Sequence, residues 1–325
     1  MLDLSVKYMG LQLKNPIIAG SSGLSQTIDD MHNLQDSGVS AIVMKSIFEE
    51  QIFLDASHQK YNTFANAPYF ETVDYIENRI RREYLSGCME TISQAKKLIG
   101  IPIIASINCI SASGWTSFAS KLQDAGADAL ELNIAVQSFD PLVSAEIIEE
   151  LHLQIIEKVL ASVSIPVAVK ISPYFADMSR VIERIAATGV KGIVLFNRFI
   201  SPDIDTEAMR TILNNRFSAS TEMSNSLRWI AMKSDTTPCD LCASTGVHSG
   251  NDVIKILLSG GAAAQVVSTL YQMGLKQVEI MLEEIKAWMT NKGFSKIDQF
   301  AGAMRHMHAN TPASYERMQY MKYNK

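Results

Sequence analysis

IPVAVKISPYFADMSRVIERIAATGVKGIVLFNR, Ile165–Arg198, contains a short apolar run, a turn, a segment with apolar residues at helical spacing, a glycine and a second apolar run. The first run, Val167–Ser172, is apolar on both faces, which predicts a parallel strand covered on both sides. Asp177–Ala187 carries Val181, Ile182 and Ile185 on one helical stripe. The phrase ATGVKGIVL ends that helix at a glycine, whose left-handed conformation lets the chain turn into the next strand, Gly192–Asn197. The unit is strand, helix, strand.

Outward from this unit the same alternation recurs. Strands are predicted at Ile17–Ser21, Ala41–Ser46, Ile103–Ile107, Ala129–Ile134, Val167–Ser172, Gly192–Asn197, Asp240–Thr245 and Ala263–Ser268, which makes eight. Helices are predicted at Trp115–Ala125, Ser144–Leu160, Asp177–Ala187 and Asn251–Leu258. DAGADALEL and LSGGAAAQV repeat the helix-stop and strand-start of ATGVKGIVL. The count and the repeated phrase favour an α/β fold of the (β/α)8 TIM-barrel type over an open sheet, although periodicity alone leaves a doubly wound sheet open. A length of 325 residues suits one such domain, expected to span 1–325. Leu4–Met9 and Leu11–Lys14 flank a glycine and predict a small N-terminal hairpin capping the barrel floor. An insertion follows strand two: DASHQKYNTFANAPYF reads as a functional loop or lid, and Glu71–Leu98 as a helix with a break at Gly87.

Composition narrows the function. Hydrophobic residues make up 47% and charged residues 19%, the balance of a packed protein. The net charge of −5 has its cations scattered among acids, which points away from nucleic acid. MLDLSVKYMG lacks the features of a leader peptide and no apolar run is long enough to span a bilayer, so a cytoplasmic protein is expected. Cys88, Cys109, Cys239 and Cys242 are too few for a disulfide framework and fit reduced thiols. Cys239 and Cys242 form a C-x-x-C, but zinc needs four ligands and no second pair accompanies them; ordinary buried thiols are the alternative, and no metal is expected.

In a barrel, reactive groups come from the carboxyl ends of the strands, where the loops converge. Here those ends carry Ser21, Ser22, Lys45, Ser46, Asn108, Asn133, Lys170, Asn197, Thr245, Gly246, Ser268 and Thr269. An ammonium near the barrel axis is costly without an anion, so Lys45 and Lys170 suggest an anionic ligand. The alternative is pairing with an acid such as Glu131. Ser244 to Val247 and Ser268–Thr269 supply small residues and amides where barrels commonly hold phosphate, although simple turns would look the same.

Taken together, NPIIAGSSG, MKS at 44–46, IIASINC, DAGADALELN, VAVKISPY, Asn197 and the last two strand ends resemble the dihydroorotate dehydrogenase family and the similar pyrimidine-site domain of dihydropyrimidine dehydrogenase. Over roughly residues 1–290 the resemblance implies an FMN-binding barrel. It implies that Ala19, Gly20, Ser21, Lys45, Ser46, Asn108, Asn133, Lys170, Asn197, Gly246, Val247, Ser268 and Thr269 approach the flavin. Lys45, Asn133 and Asn197 would also meet a small-molecule substrate. The implied activity is an FMN-dependent dehydrogenase acting on the CH–CH bond of a dihydropyrimidine such as dihydroorotate, in pyrimidine metabolism. Related soluble enzymes are often dimers, and Met304, Met307, Met318 and Met321 fit either an interface or core packing.

The sequence departs from the family's pattern at four places. ELNIAVQS puts Ala135, Val136, Gln137 and Ser138 where the family has its proton-abstracting Cys or Ser; Ser138 is the nearest hydroxyl, two positions late. The family's substrate loop is absent, with Asn62 and Asn66 in the corresponding insertion. ASTG stands for a glycine-rich phosphate turn, and Arg198 follows Asn197 where a small hydroxyl residue is common. Two rival expectations follow: a flavin barrel that has lost dehydrogenase activity and serves as a binding protein or subunit, and a flavin-free phosphate-binding aldolase or isomerase with Lys170 or Lys45 as its Schiff base.

Overall fold

The computed structural model describes residues 2–48, 70–109, 115–136, 140–199, 202–213 and 216–306, with the side chains of 70–82, 109 and 115–117 outside that description. The chain opens with β1 (Val6–Tyr8) and β2 (Leu11–Leu13), an antiparallel pair. Met9 and Gly10, at φ 52° and 81°, make the two-residue left-handed turn that matches the twist of a hairpin. Tyr8 and Met9 are buried, and Met9 N–H donates to Asp240 Oδ2 at 2.7 Å. A side chain at Gly192 would press on both, its Cβ 3.1 Å from Met9 Cγ. Gly192 and Asp240 each begin a strand, so the hairpin lies under the barrel floor, as the sequence predicts.

All eight apolar runs are strands. They are β3 (Ile17–Ala19), β4 (Ala41–Val43), β6 (Ile103–Cys109), β7 (Ala129–Ile134), β8 (Val167–Ile171), β9 (Gly192–Leu195), β12 (Asp240–Ala243) and β13 (Ala263–Val266). Every neighbouring pair is parallel, and β13 pairs with β3, which closes the cylinder into a (β/α)8 TIM barrel. A two-residue β5 (Ile47–Phe48) continues the line of β4 along β6. Six of the strands stop one to three residues short of the expected ends, because Lys45, Asn197, Thr245 and their counterparts have already left the ladder for the mouth.

Among the described residues the helices are α1 (Ile28–Ser37), α2 (Phe70–Leu98), α3 (Trp115–Asp124), α4 (Ala145–Leu160), α5 (Met178–Ala187), α6 (Met223–Lys233), α7 (Gly250–Leu258), α8 (Ser268–Met273) and α9 (Gln277–Lys292). The three repeated helix-stops hold their glycines left-handed, at φ 103°, 95° and 97° for Gly126, Gly189 and Gly260. One expectation needs correcting: α2 runs through Gly87 without a break. Gly87 is exposed with nothing near it, and a glycine there costs a helix only about 1 kcal/mol. The loop ahead of α2 lies outside the described residues. A second hairpin, β10 (Asp203–Asp205) with β11 (Arg210–Ile212), follows β9. It was not legible because its short exposed strands carry no alternation. No helix among the described residues is long and apolar enough to cross a membrane.

Candidate active site

Strand register assembles the mouth. Asn108 pairs with Asn133 across β6 and β7, and Asn133 with Lys170 across β7 and β8, so the three side chains stand side by side on one face of the sheet. Asn197, just past β9, donates its Nδ2 to Asn133 Oδ1 at 2.9 Å. Asn108 is 6% exposed, and its Oδ1 has no partner among the described residues. A buried carbonyl with no donor is costly, so this atom marks a place where a ligand can contribute one.

Lys170 is buried, and its ammonium donates to Gln265 Oε1 at 2.9 Å. Gln265 in turn donates its Nε2 to Glu131 Oε2. The acid proposed as a direct lysine partner is therefore one residue removed, with an amide between the charges. Burial pushes the Glu131 carboxyl above its usual range, and the Lys170 charge and the Gln265 hydrogen bond oppose that shift only in part. A carboxyl with a raised folded-state pKa favours folding below its unfolded value and loses that contribution as the pH rises through the folded value. Glu131→Gln should therefore gain stability relative to the parent as the pH rises from 4.5, by at most about 1.4 kcal/mol per pH unit. Urea midpoints of both proteins across that range check the sign. A difference that stays flat above pH 4.5 would mean that Glu131 is held ionised.

A chain of hydroxyls joins three neighbouring strands: Ser21 Oγ lies 2.9 Å from Ser46 Oγ, which lies 2.7 Å from Ser106 Oγ in the middle of β6. Lys45 is half-buried and donates to Gln26 Oε1 at 3.2 Å. Ala19 is buried within β3, and beyond it bare Gly20 passes Val267, whose Cγ2 would lie 2.8 Å from an added Cβ.

After β12 the backbone takes two consecutive left-handed residues, Thr245 at φ 77° and Gly246 at φ 76°. Gly246 N–H donates to Ser218 Oγ at 3.2 Å, and Ser218 N–H donates to Ser268 Oγ at 3.0 Å. A cavity of about 210 Å³ opens here, lined by Ser21, Lys170, Asn197, Gly246, Val247 and Ser268, together with Arg198, Arg216, Ser218 and Gln265. Ser268 and Thr269 begin α8, and the first amides of any helix lack an intrahelical acceptor. Thr269 itself is buried, its hydroxyl 3.5 Å from the His248 carbonyl. Cations and the first amides of α8 around one small cavity suit an anion.

Sequence reading missed Gln265, Arg216 and Ser218. Gln265 had a signal, a lone polar residue inside the apolar run AAAQV; Arg216 and Ser218 come from irregular chain and had none. Arg198, read as a departure, is fixed by Glu222 (Nε to Oε2, 2.9 Å). Val136 is half-buried and packs against the core. Gln137, Ser138, His58, Asn62, Asn66, Tyr69, Met307, Met318 and Met321 lie outside the described residues. Cys239 and Cys242 are free thiols; burial pushes Cys239 up to about 12 and Cys242 higher still.

The family model described as dihydroorotate dehydrogenase matches residues 3–289. The catalytic subunit of dihydroorotate dehydrogenase B (NAD(+)) from Thermoplasma acidophilum is 25% identical, covering 93% of this chain and 99% of its own length. Its namesake from Methanosarcina acetivorans is 27% identical, covering 92% and 95%. NAD-dependent dihydropyrimidine dehydrogenase subunit PreA from Escherichia coli K12 is 22% identical, covering 92% and 76%. A family match over most of the chain, on a closed barrel with lysine, asparagines and a left-handed turn at its mouth, shows that this chain belongs to the dihydroorotate dehydrogenase family.

Proposed function

We propose that this chain is a single-domain FMN-dependent oxidoreductase acting on the CH–CH bond of a dihydropyrimidine-like substrate such as dihydroorotate. The observation that carries the flavin part is the cavity bounded by Lys170, Arg198, Arg216 and the Gly246 turn. The fit rests on a feature of the residues themselves: Asn108 keeps a buried oxygen with no donor among the described residues. In this reading Gly246, Val247, Ser268 and Thr269 hold the phosphate, with Ser21, Ser46 and Gly20 along the chain of the cofactor. Lys170 stabilises negative charge at the ring, while Asn108, Asn133 and Asn197 orient ring and substrate, as does Lys45. Bound FMN would supply the hydride acceptor. No titratable group stands at Val136, which supports a second reading: a flavin-binding barrel without dehydrogenase activity.

The test is FMN uptake. The protein should bind FMN in titration and show flavin absorbance, and Lys170→Ala should lower flavin content more than Ser138→Ala. Removing a buried cation that faces an anion typically costs about 2–5 kcal/mol, roughly thirty-fold or more in affinity. A protein that takes up no FMN would defeat the reading. Equal flavin content in the two variants would remove Lys170 from the site.

A further inference from the structure

Arg198 belongs to two cavities. Besides the one that holds Gly246, a larger space of about 560 Å³ shares Asn197, Arg198 and Thr245 with it. Its walls include the rings of Tyr174, Phe199 and Phe217. Tyr174 and Phe199 lie 5.8 Å apart and tilted by 48°, and Tyr174 is 68% exposed. The Arg216 guanidinium sits 5.8 Å from the centroid of Phe217.

The Arg198 fork is held from behind. Nε donates to Glu222 Oε2 and Nη1 to the Arg216 carbonyl at 3.3 Å, which orients the group and leaves other N–H donors of the fork without a partner among the described residues. Arg198 and Glu222 are the charged residues lining the larger cavity, and Arg216 lines the smaller one. Aromatic faces accept a planar ring, and a pre-oriented guanidinium fork recognises phosphate through paired donors. The volume lies in the range of pockets that enclose small organic ligands, and a single-ring acid would leave much of it to water.

We infer that the larger cavity is a second ligand site for a nucleoside monophosphate, its base against Tyr174 and Phe199 and its phosphate on Arg198. The inference goes beyond the flavin reading and does not depend on it. The experiment is calorimetric titration of AMP, UMP, adenosine and uridine into the protein kept in excess FMN, with flavin absorbance followed in parallel. Saturable binding of at least one monophosphate is expected, with its nucleoside at least ten-fold weaker. Arg198→Ser should weaken it at least ten-fold. Phe199→Ala, which lines only the larger cavity, should do so too and keeps the test open if Arg198→Ser fails to fold. No saturation at millimolar concentration, FMN released as nucleotide binds, or parent-like affinity in Phe199→Ala would each overturn the inference. If the protein takes up no FMN, the flavin reading fails, and the Phe199→Ala comparison still reads the larger cavity alone.

Discussion

Dihydroorotate added anaerobically to the FMN-loaded protein is expected to bleach the flavin at least about a hundred-fold more slowly than ordinary enzyme turnover, which is roughly ten per second. Oxidising the CH–CH unit of a dihydropyrimidine to C=C breaks two C–H bonds, one releasing a proton and the other a hydride, and a positioned acceptor for that proton typically contributes about a hundred- to ten-thousand-fold in rate. The residue at that place is Val136, half-buried with its side chain against the core, and a hydrocarbon accepts no proton. Ser138 is two positions further on, and a serine without an activating neighbour is a poor base. Stopped-flow absorbance of the oxidised flavin reads the rate directly. Fast bleaching would show that another group takes the proton, and the 57–70 segment, beginning with His58 and Tyr69, is where to substitute next.

Gly246→Ala is expected to destabilise the fold by more than about 3 kcal/mol and to abolish flavin binding. Two costs add. At φ 76° a side chain is strained whatever the space around it, and the new Cβ would lie 2.3 Å from Met223 N and 3.0 Å from the Ala219 carbonyl oxygen. Both neighbours are backbone, at the start of α6 and in the turn before it, which cannot swing aside as a flexible side chain can. Gly293→Ala separates the two costs, since Gly293 has the same φ, 76°, with ψ 18° in the left-handed region, and nothing among the described residues within 4 Å of an added Cβ. That control should lose only about 1 kcal/mol of backbone strain. Equal urea midpoints for the two variants would show that the turn does not pack against α6.

The amino-acid sequence by itself determined the strand and helix units, the floor hairpin, the left-handed glycines at 126, 189 and 260, and the polar residues that end each strand. These are local consequences of hydrophobic period, glycine chemistry and strand ends, and a window of a few residues contains the whole cause. Gly87 shows the limit of that window, because the run of helix formers around it outweighed one poor residue. The site was legible only as candidate residues. Barrel closure decided which of them meet: it set Gln265 between Lys170 and Glu131, residues 95 and 134 positions away in the chain, and turned a proposed ion pair into an amide bridge. Closure also carried Arg216 and Ser218 from irregular chain to the cavity of about 210 Å³, and it gave Arg198 a place in two cavities at once. Register and shear fix such distances, and both are properties of the closed sheet rather than of any strand within it.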